Sequence, residues 1–538
     1  MNNKIDVFVN QLGYAVDKTK HAYARGLKGG EEFELLSGSK VVYTGKANLP
    51  IEDRVAGEAV CRLDFSDFKS QGSYFIRLKD GKKTVESLPF KIADGLYDDI
   101  YYASLKYFYL SRCGFEIDQK SGGVWAHPAC HNTPALIYGT DKKIDVNGGW
   151  HDAGDYGRYI VAASKAVMDL LLAYDAADKE QKFDILGEVR FELEWMLKMQ
   201  RQDGGVFHKV SCYHFCAFIN PHEEKDELVI SPVSSTATAD FAGSCAFASL
   251  FYKKTDPAFA KKLLDAARKA QAYLDTHEEE LFRNPPEITT GGYGDWTSSD
   301  ERYFAYAALF LTDGDQSYLD KALELRQKIL DTPEDPQFPW KNKWFEGFGW
   351  GMVSGYGSEL FLRAKDKIKD KAKVKLLEES MTASADRILE RVKNASFGTS
   401  MDKVHWGSCG HVCDDAHALL LAYDITGKKD YYEAAKNQFD YLLGCNPMNL
   451  CYITGFGTNT VKHPHHRPSG ATGKTMPGML SGGPCEGLYD ACAKEKLGPL
   501  NPPPLRCFID DEASYSTNEI AIYWNSTFVY IASKLKMV

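Results

Sequence analysis

The chain has 538 residues, with 64 Lys and Arg against 74 Asp and Glu, for a formal net charge of −10 at pH 7. That length exceeds what one ordinary core fills, so two or more domains are expected. The shortage of basic side chains excludes a surface built to neutralise phosphates, and so a nucleic-acid partner, while a neutral polymer stays open.

The N-terminus, Met1-Asn-Asn-Lys-Ile-Asp, shows no apolar signal region, and no apolar run approaches the roughly 20 residues of a membrane span. As written the chain reads as cytoplasmic, or as secreted if a leader was trimmed, and no membrane partner is expected. Thirteen cysteines, an odd number spread along a long chain, suit thiols or metal ligands better than a disulfide framework.

Residues 1–95 read as β. Val7-Phe-Val-Asn-Gln-Leu and Ala59-Val-Cys-Arg-Leu-Asp-Phe alternate, Gly72-Ser-Tyr-Phe-Ile-Arg-Leu and Leu88-Pro-Phe-Lys-Ile follow, and Lys79-Asp-Gly-Lys signals a turn. This pattern predicts a small immunoglobulin-like sandwich with nothing catalytic in it.

From Tyr97 the period becomes helical, and residues 96–538 read as a second domain. About twelve helices are expected, beginning near Asp98, Tyr159, Asp184, Ser235, Pro257, Ser298, Gln316, Gly351, Val374, His411, Asp430 and Ser516. Many helices of similar length suit a closed double ring, although an α-solenoid would give a similar tally. The fold class is therefore mostly α after a small β-sandwich.

Three loops carry Gly and aromatics beyond what connections need: Gly148-Gly-Trp-His-Asp-Ala-Gly-Asp-Tyr-Gly-Arg, Gly291-Gly-Tyr-Gly-Asp-Trp and Tyr452-Ile-Thr-Gly-Phe-Gly-Thr-Asn. Flat rings and close backbone suit a sugar; the plain alternative is tight turns on core aromatics. Asp152 and Asp155 stand three apart and can address one water, or else cap a helix. Near the C-terminus, Ser516 or Thr517 is expected to cap the last helix with Glu519 in its first turn. Packing of Glu519 between Tyr515 and Tyr523 would suit an acid catalyst.

These stretches resemble glycoside hydrolase family 9, endoglucanases built on an (α/α)6 barrel, in the subgroup preceded by an immunoglobulin-like domain. Asn10-Gln-Leu-Gly-Tyr is similar to the opening strand of that subgroup, and Asp152-Ala-Gly-Asp155 to the catalytic-base motif. Tyr452 to Asn459 with Pro464-His-His-Arg resembles the histidine signature, and Asp511 to Asn525 the acid-bearing one. The likeness runs from about residue 6 to the end.

The resemblance implies an inverting hydrolase of β-1,4-linked glucan, with Asp155 as general base, Asp152 helping to hold the water and Glu519 as general acid. It implies sugar contacts from His465 and Arg467, with Tyr515 and Trp406 as further substrate-binding candidates. Trp406 stands where the family more often carries a polar, Asn-containing stretch. Inversion calls for base and acid carboxyls roughly 6.5–9.5 Å apart.

Cys113, Cys130, His131 and His151 supply two thiolates and two imidazoles, a donor set suited to tetrahedral zinc. The spacing is not that of a zinc finger, and the resemblance adds that some relatives hold a structural zinc with this pattern. Calcium is implied at Asp300 and Glu301, where a helix end capped by Ser298 is an equal reading. Cys212, His214 and Cys216, and His405, Cys409, His411 and Cys413, could bind a second metal but read as free thiols. The alternative activity is an exo-acting β-glucosaminidase of the same family, which would need a further carboxylate such as Asp240, Glu346 or Asp414. A monomer is expected.

Overall fold

Period-two alternation from Asp6 to Ile92 becomes two antiparallel sheets. In the computed structural model, which describes residues 4–80, 83–177, 182–333 and 343–537, one sheet runs β1 (Asp6–Phe8), β2 (His21–Arg25), β6 (Glu58–Asp64), β5 (Ile51–Asp53). The other runs β4 (Lys40–Lys46), β3 (Glu32–Ser37), β7 (Gly72–Asp80), β8 (Lys83–Glu86), with β9 (Phe90–Ile92) also paired to β7. Val7, Val9, Phe33, Leu35, Leu63, Phe65, Ile76 and Phe90 fill one core. A register shift between Leu35 and Leu36 lets two consecutive leucines both be buried, which strict alternation forbids. The turn expected at 79–82 lies partly outside the described residues; its flanks pair, Asp80 with Lys83.

The chain divides into two compact units. The first comprises Met1–Tyr107, Ala177–Lys179 and Asp386–Val538, and the second Phe108–Ala176 and Glu180–Ala385. Within the first, Asn10 Nδ2 donates to Asp440 Oδ1 at 2.8 Å, and Asp440 pairs with buried Lys436 at 2.6 Å. Gln11 N donates to the Leu443 carbonyl, and its side-chain oxygen accepts from Thr458 N and Asn459 N. Helix Ser408–Thr426 packs against both Lys429–Leu442 and Ile522–Lys534.

In the second unit, helix Ser235–Tyr252 packs on Ile160–Ala176, Pro257–Thr276 and Ser299–Asp313. Small residues permit this closeness: a Cβ on Gly243 would stand 2.4 Å from the Phe304 ring. Side-chain caps start the helices, as where Asp256 accepts from Phe259 N ahead of Pro257. Twelve helices of ten residues or more occur among the described residues, as the periodicity predicts. None of the described helices is long and apolar enough to cross a membrane.

Two expectations fail. The second unit contains a five-stranded sheet that periodicity does not reveal, in the order β11 (Lys143–Ile144), β10 (Ala135–Ile137), β14 (Leu228–Ile230), β13 (Lys209–Cys212), β12 (Arg158–Tyr159). Its strands have two to four residues, too few to establish a period of two. The last helix begins at Ile522, so neither Ser516 nor Thr517 caps it. A one-turn helix, Tyr515–Asn518, stops before Glu519, which is extended at φ −67°, ψ 159°. Backbone pairing imposes the break: His465 N donates to the Asn518 carbonyl and Gly482 N to that of Glu519.

Candidate active site

In the second unit the loop from Gly148 to Arg158 is fastened along its length. Cys113 N donates to the Gly149 carbonyl and His151 N to that of Ser111, both at 2.7 Å. Gly149 has φ +79°, and a Cβ there would stand 2.7 Å from the Trp195 ring. Trp150 is fully buried; its N–H donates to Glu192 at 2.6 Å and its indole N–H to Glu188 at 2.8 Å.

A tight turn closes when Asp152 N donates to the Gly157 carbonyl at 3.0 Å. Neither Asp152 nor Asp155 caps a helix, so the bland reading fails. Both are buried, at 1% and 8% exposure. Asp155 Oδ2 accepts from Gly157 N and from the Tyr159 hydroxyl, each at 3.0 Å. Tyr293, held at φ +50°, donates its hydroxyl to Asp152 Oδ2 at 2.5 Å. Burial first, then the charges of Asp155 and Asp152, push the Tyr159 hydroxyl well above the ordinary tyrosine range, so it remains a donor.

Beneath Tyr159 lies Lys209 of β13. Its ammonium sits 5.4 Å from the Tyr159 ring centroid and donates to Thr290 Oγ1 at 3.0 Å and to the Gly291 carbonyl at 2.5 Å. Burial lowers this group to about 7, against an opposing pull from Asp155. Sequence reasoning missed Tyr159, Tyr293 and Lys209, although Tyr293 stands in a loop it had singled out.

The four expected metal ligands converge beside this turn, and among the described residues theirs is the one group of three or more whose ligand atoms all lie within 4.8 Å. Cys130 and His131 are neighbours, and His131 adopts φ +50°, a costly left-handed conformation that turns both side chains to one point. Cys113 Sγ to His131 Nδ1 is 3.7 Å, and Cys130 Sγ to His151 Nε2 is 3.8 Å. Tetrahedral zinc with Zn–S of about 2.3 Å and Zn–N of about 2.05 Å needs an S···N edge of about 3.6 Å, so the set fits. Burial opposes charge on Cys113, but Cys130, Arg158 and the imidazoles hold its thiol well below the usual range, as a thiolate ligand requires.

Asp300 and Glu301 open helix Ser299–Asp313, but not as an exposed, capped end. Ser298 is fully buried and makes no side-chain cap; it donates instead to Glu279. Burial and the neighbouring charges of Asp300 and Asp240 push Glu301 up, and burial with Asp300 and Asp295 does the same to Asp240. Neither oxygen of Asp240, nor Oε2 of Glu301, has a hydrogen-bond partner among the described residues. Asp300 Oδ2 accepts from Val353 N at 2.9 Å, and these acids share one charged neighbourhood without converging as the cysteine–histidine set does.

In the first unit, Glu519 is half-buried and bridged through its backbone to His465. The Tyr515 ring lies 6.0 Å from the His465 ring and 5.2 Å from that of Trp406, centroid to centroid, and Trp406 is 39% exposed. Burial, then Asp490 and Glu519, push the Tyr515 hydroxyl up. Arg467 is buried at the start of the short helix Arg467–Thr472. Two unforeseen carboxylates hold this segment: Asp510 accepts from Lys462 N, His463 N and Asn518 Nδ2, and Asp490 from Ser516 N and Ser514 Oγ.

Cys409 and Cys413 are buried in helix Ser408–Thr426, whereas His405 and His411 are exposed, so these four form no ligand set. Among the described residues, none of the thirteen cysteines forms a disulfide.

Comparison with known proteins places these elements. The model described as "Glycosyl hydrolase family 9" matches residues 97–532, and that of "Cellulase N-terminal ig-like domain" matches residues 2–83. A cellodextrinase of Butyrivibrio fibrisolvens is 36% identical, covering 98% of this chain and 99% of its own length. Endoglucanase D of Acetivibrio thermocellus is 32% identical over 91% of this chain and 77% of its own. A solved mutant of a thermostable endoglucanase from Alicyclobacillus acidocaldarius superposes with a TM-score of 0.89 at 33% identity, covering 98% and 99% of the two chains. The fold class follows: an immunoglobulin-like β-sandwich and a helical catalytic domain of the (α/α)6-barrel type.

Proposed function

Because the chain belongs to glycosyl hydrolase family 9 and is a cellulase-type glycoside hydrolase, we propose that it cleaves β-1,4-glucosidic bonds in soluble glucans or cello-oligosaccharides with inversion. Asp155 is the general base and Glu519 the general acid. The observation that carries this reading is the 152–157 turn, where two buried carboxylates three residues apart are each gripped at Oδ2 by a buried or half-buried tyrosine. Both described donors to Asp155 reach Oδ2, so Oδ1 is assigned to the attacking water, while Asp152 orients that water. Glu519 protonates the leaving oxygen. His465 and Arg467 contact the sugar, and Tyr515 and Trp406 offer ring faces to it.

Cys113, Cys130, His131 and His151 would hold zinc. Four protein ligands fill a tetrahedral ion, so what it supplies is mechanical, a fixed anchor next to the base-bearing turn. Asp300 and Glu301 would hold calcium.

The test follows cellotetraose hydrolysis by NMR from the first turnover, in parallel with chitosan oligomers. The α-anomer is expected as the initial product from the cello-oligosaccharide, with Asp155→Asn and Glu519→Gln both inactive on it. Initial β-anomer, or unimpaired turnover by either variant, refutes the assignment.

A further inference from the structure

The segment between β13 and β14, residues 213–227, belongs to the stretch whose two thiols and histidine invite a second metal site on sequence grounds. The fold uses them otherwise. His214 is exposed, its Nδ1 2.9 Å from Thr289 Oγ1. Cys212 Sγ instead donates to the Asp226 carbonyl at 3.7 Å, and Cys216 acts electrostatically on Glu224. The other partner of that carboxylate is His131: Nε2 stands 2.9 Å from Glu224 Oε2, with the two side chains only 2% and 6% exposed.

At 2.9 Å the carboxylate oxygen accepts, so Nε2 of His131 carries the hydrogen of this bond. In the neutral ring a ligand requires, the lone pair is then on Nδ1, the atom that faces Cys113 Sγ. His151 faces Cys130 through Nε2, so the two imidazoles present different nitrogens to the same point.

We propose that Glu224 is the positioning residue of the zinc site, fixing His131 as the Nε2–H tautomer that ligates through Nδ1 and tying segment 213–227 to the base-bearing turn. Ligand histidines commonly donate their second N–H to such a partner, which sets ring orientation and raises basicity, and loss of the partner weakens metal binding 10–100-fold. This inference rests on the zinc reading above and adds a residue outside its four ligands.

The experiment measures Zn²⁺ affinity of the full chain by competition with a chromogenic chelator, for wild type, Glu224→Gln, Glu224→Ala and His131→Ala. One equivalent of zinc is expected on wild type, none of comparable affinity on His131→Ala, and about 10–100-fold weaker binding for Glu224→Ala. Glu224→Gln keeps an acceptor oxygen and falls between, and it carries the test should the alanine variant not fold. The metal-free variants should melt with metal-free wild type, and their Co²⁺ derivatives should show altered d–d bands, which a purely structural role would not produce. Wild-type affinity in both Glu224 variants overturns this inference alone. Failure of wild type to bind zinc, or wild-type binding by His131→Ala, overturns the zinc reading and this inference with it.

Discussion

Gly157→Ala tests whether the geometry of the base-bearing turn governs turnover. The new Cβ would stand 2.5 Å from the Tyr159 hydroxyl oxygen and 2.7 Å from Asp155 Oδ2. Ordinary carbon–oxygen contact needs about 3.4 Å, so these two atoms must be displaced by about 0.7–0.9 Å. Tyr159 is 1% exposed and cannot swing into solvent, and the 3.0 Å bond between it and Asp155 is the interaction driven apart. Misplacement of a reacting group by about 1 Å costs about 100-fold in rate. Overpacking of this kind destabilises by about 1–3 kcal/mol, small enough to leave the chain folded. The expectation is therefore kcat down about 100-fold with KM within about threefold, measured by initial rates on a soluble β-glucan beside a thermal melt. A folded variant with kcat within twofold of wild type would refute the claim that Asp155 is held by this turn for catalysis.

Tyr293→Phe removes the donor to Asp152 Oδ2 but keeps ring contacts with Tyr159 and Trp350 at 4.8 Å. Loss of a bond to a charged acceptor, about 1.5–3 kcal/mol, predicts kcat down roughly 10–100-fold, and unaltered kinetics would contradict the role given to Asp152. Lys209 carries a folded-state value of about 7, below its unfolded one. The unfolded chain therefore binds more protons between about pH 7 and 10.4, and this residue makes stability rise with pH across that window. Chemical denaturation at several pH values should show wild type gaining on Lys209→Met by up to about 1.4 kcal/mol per pH unit from pH 7; a pH-independent difference would show Lys209 protonated in the folded chain as in the unfolded one, and would refute the lowering by burial. Millimolar Ca²⁺ should raise the melting temperature of gel-filtered wild type but not of Asp300→Asn, with about 2.7 kcal/mol of stabilisation at a hundredfold excess over Kd. Superimposable wild-type melts would remove calcium from Asp300 and Glu301.

The sandwich and the long helices were legible because their periods extend over enough residues to be counted. The Asp152–Asp155 pair and the Cys113, Cys130, His131 and His151 set were legible for another reason: few side chains do this chemistry, and residue type alone nominates them. Partners donating single hydrogen bonds gave no such signal. Tyr159 and Tyr293 are two among thirty tyrosines, and Glu224 lies 93 positions from His131. The short strands β10 to β14, which set Lys209 and Glu224 in place, fall below the length at which alternation differs from chance. The break before Glu519 escaped local propensity because it is enforced by backbone partners at His465 and Gly482, 37 or more positions upstream.

The anchoring of Asn10 and Gln11 bears on how this architecture can be taken apart. Removing the strands would leave the Lys436–Asp440 pair, now sealed from water, with one acceptor bond vacated, and would strip the 449–459 loop of the amide that organises it. Chimaeras that graft another sandwich onto this helical portion therefore have to carry the Asn10-Gln11 dipeptide in register with its partners at 440–459, since the strands act as a keystone and not as a portable tag.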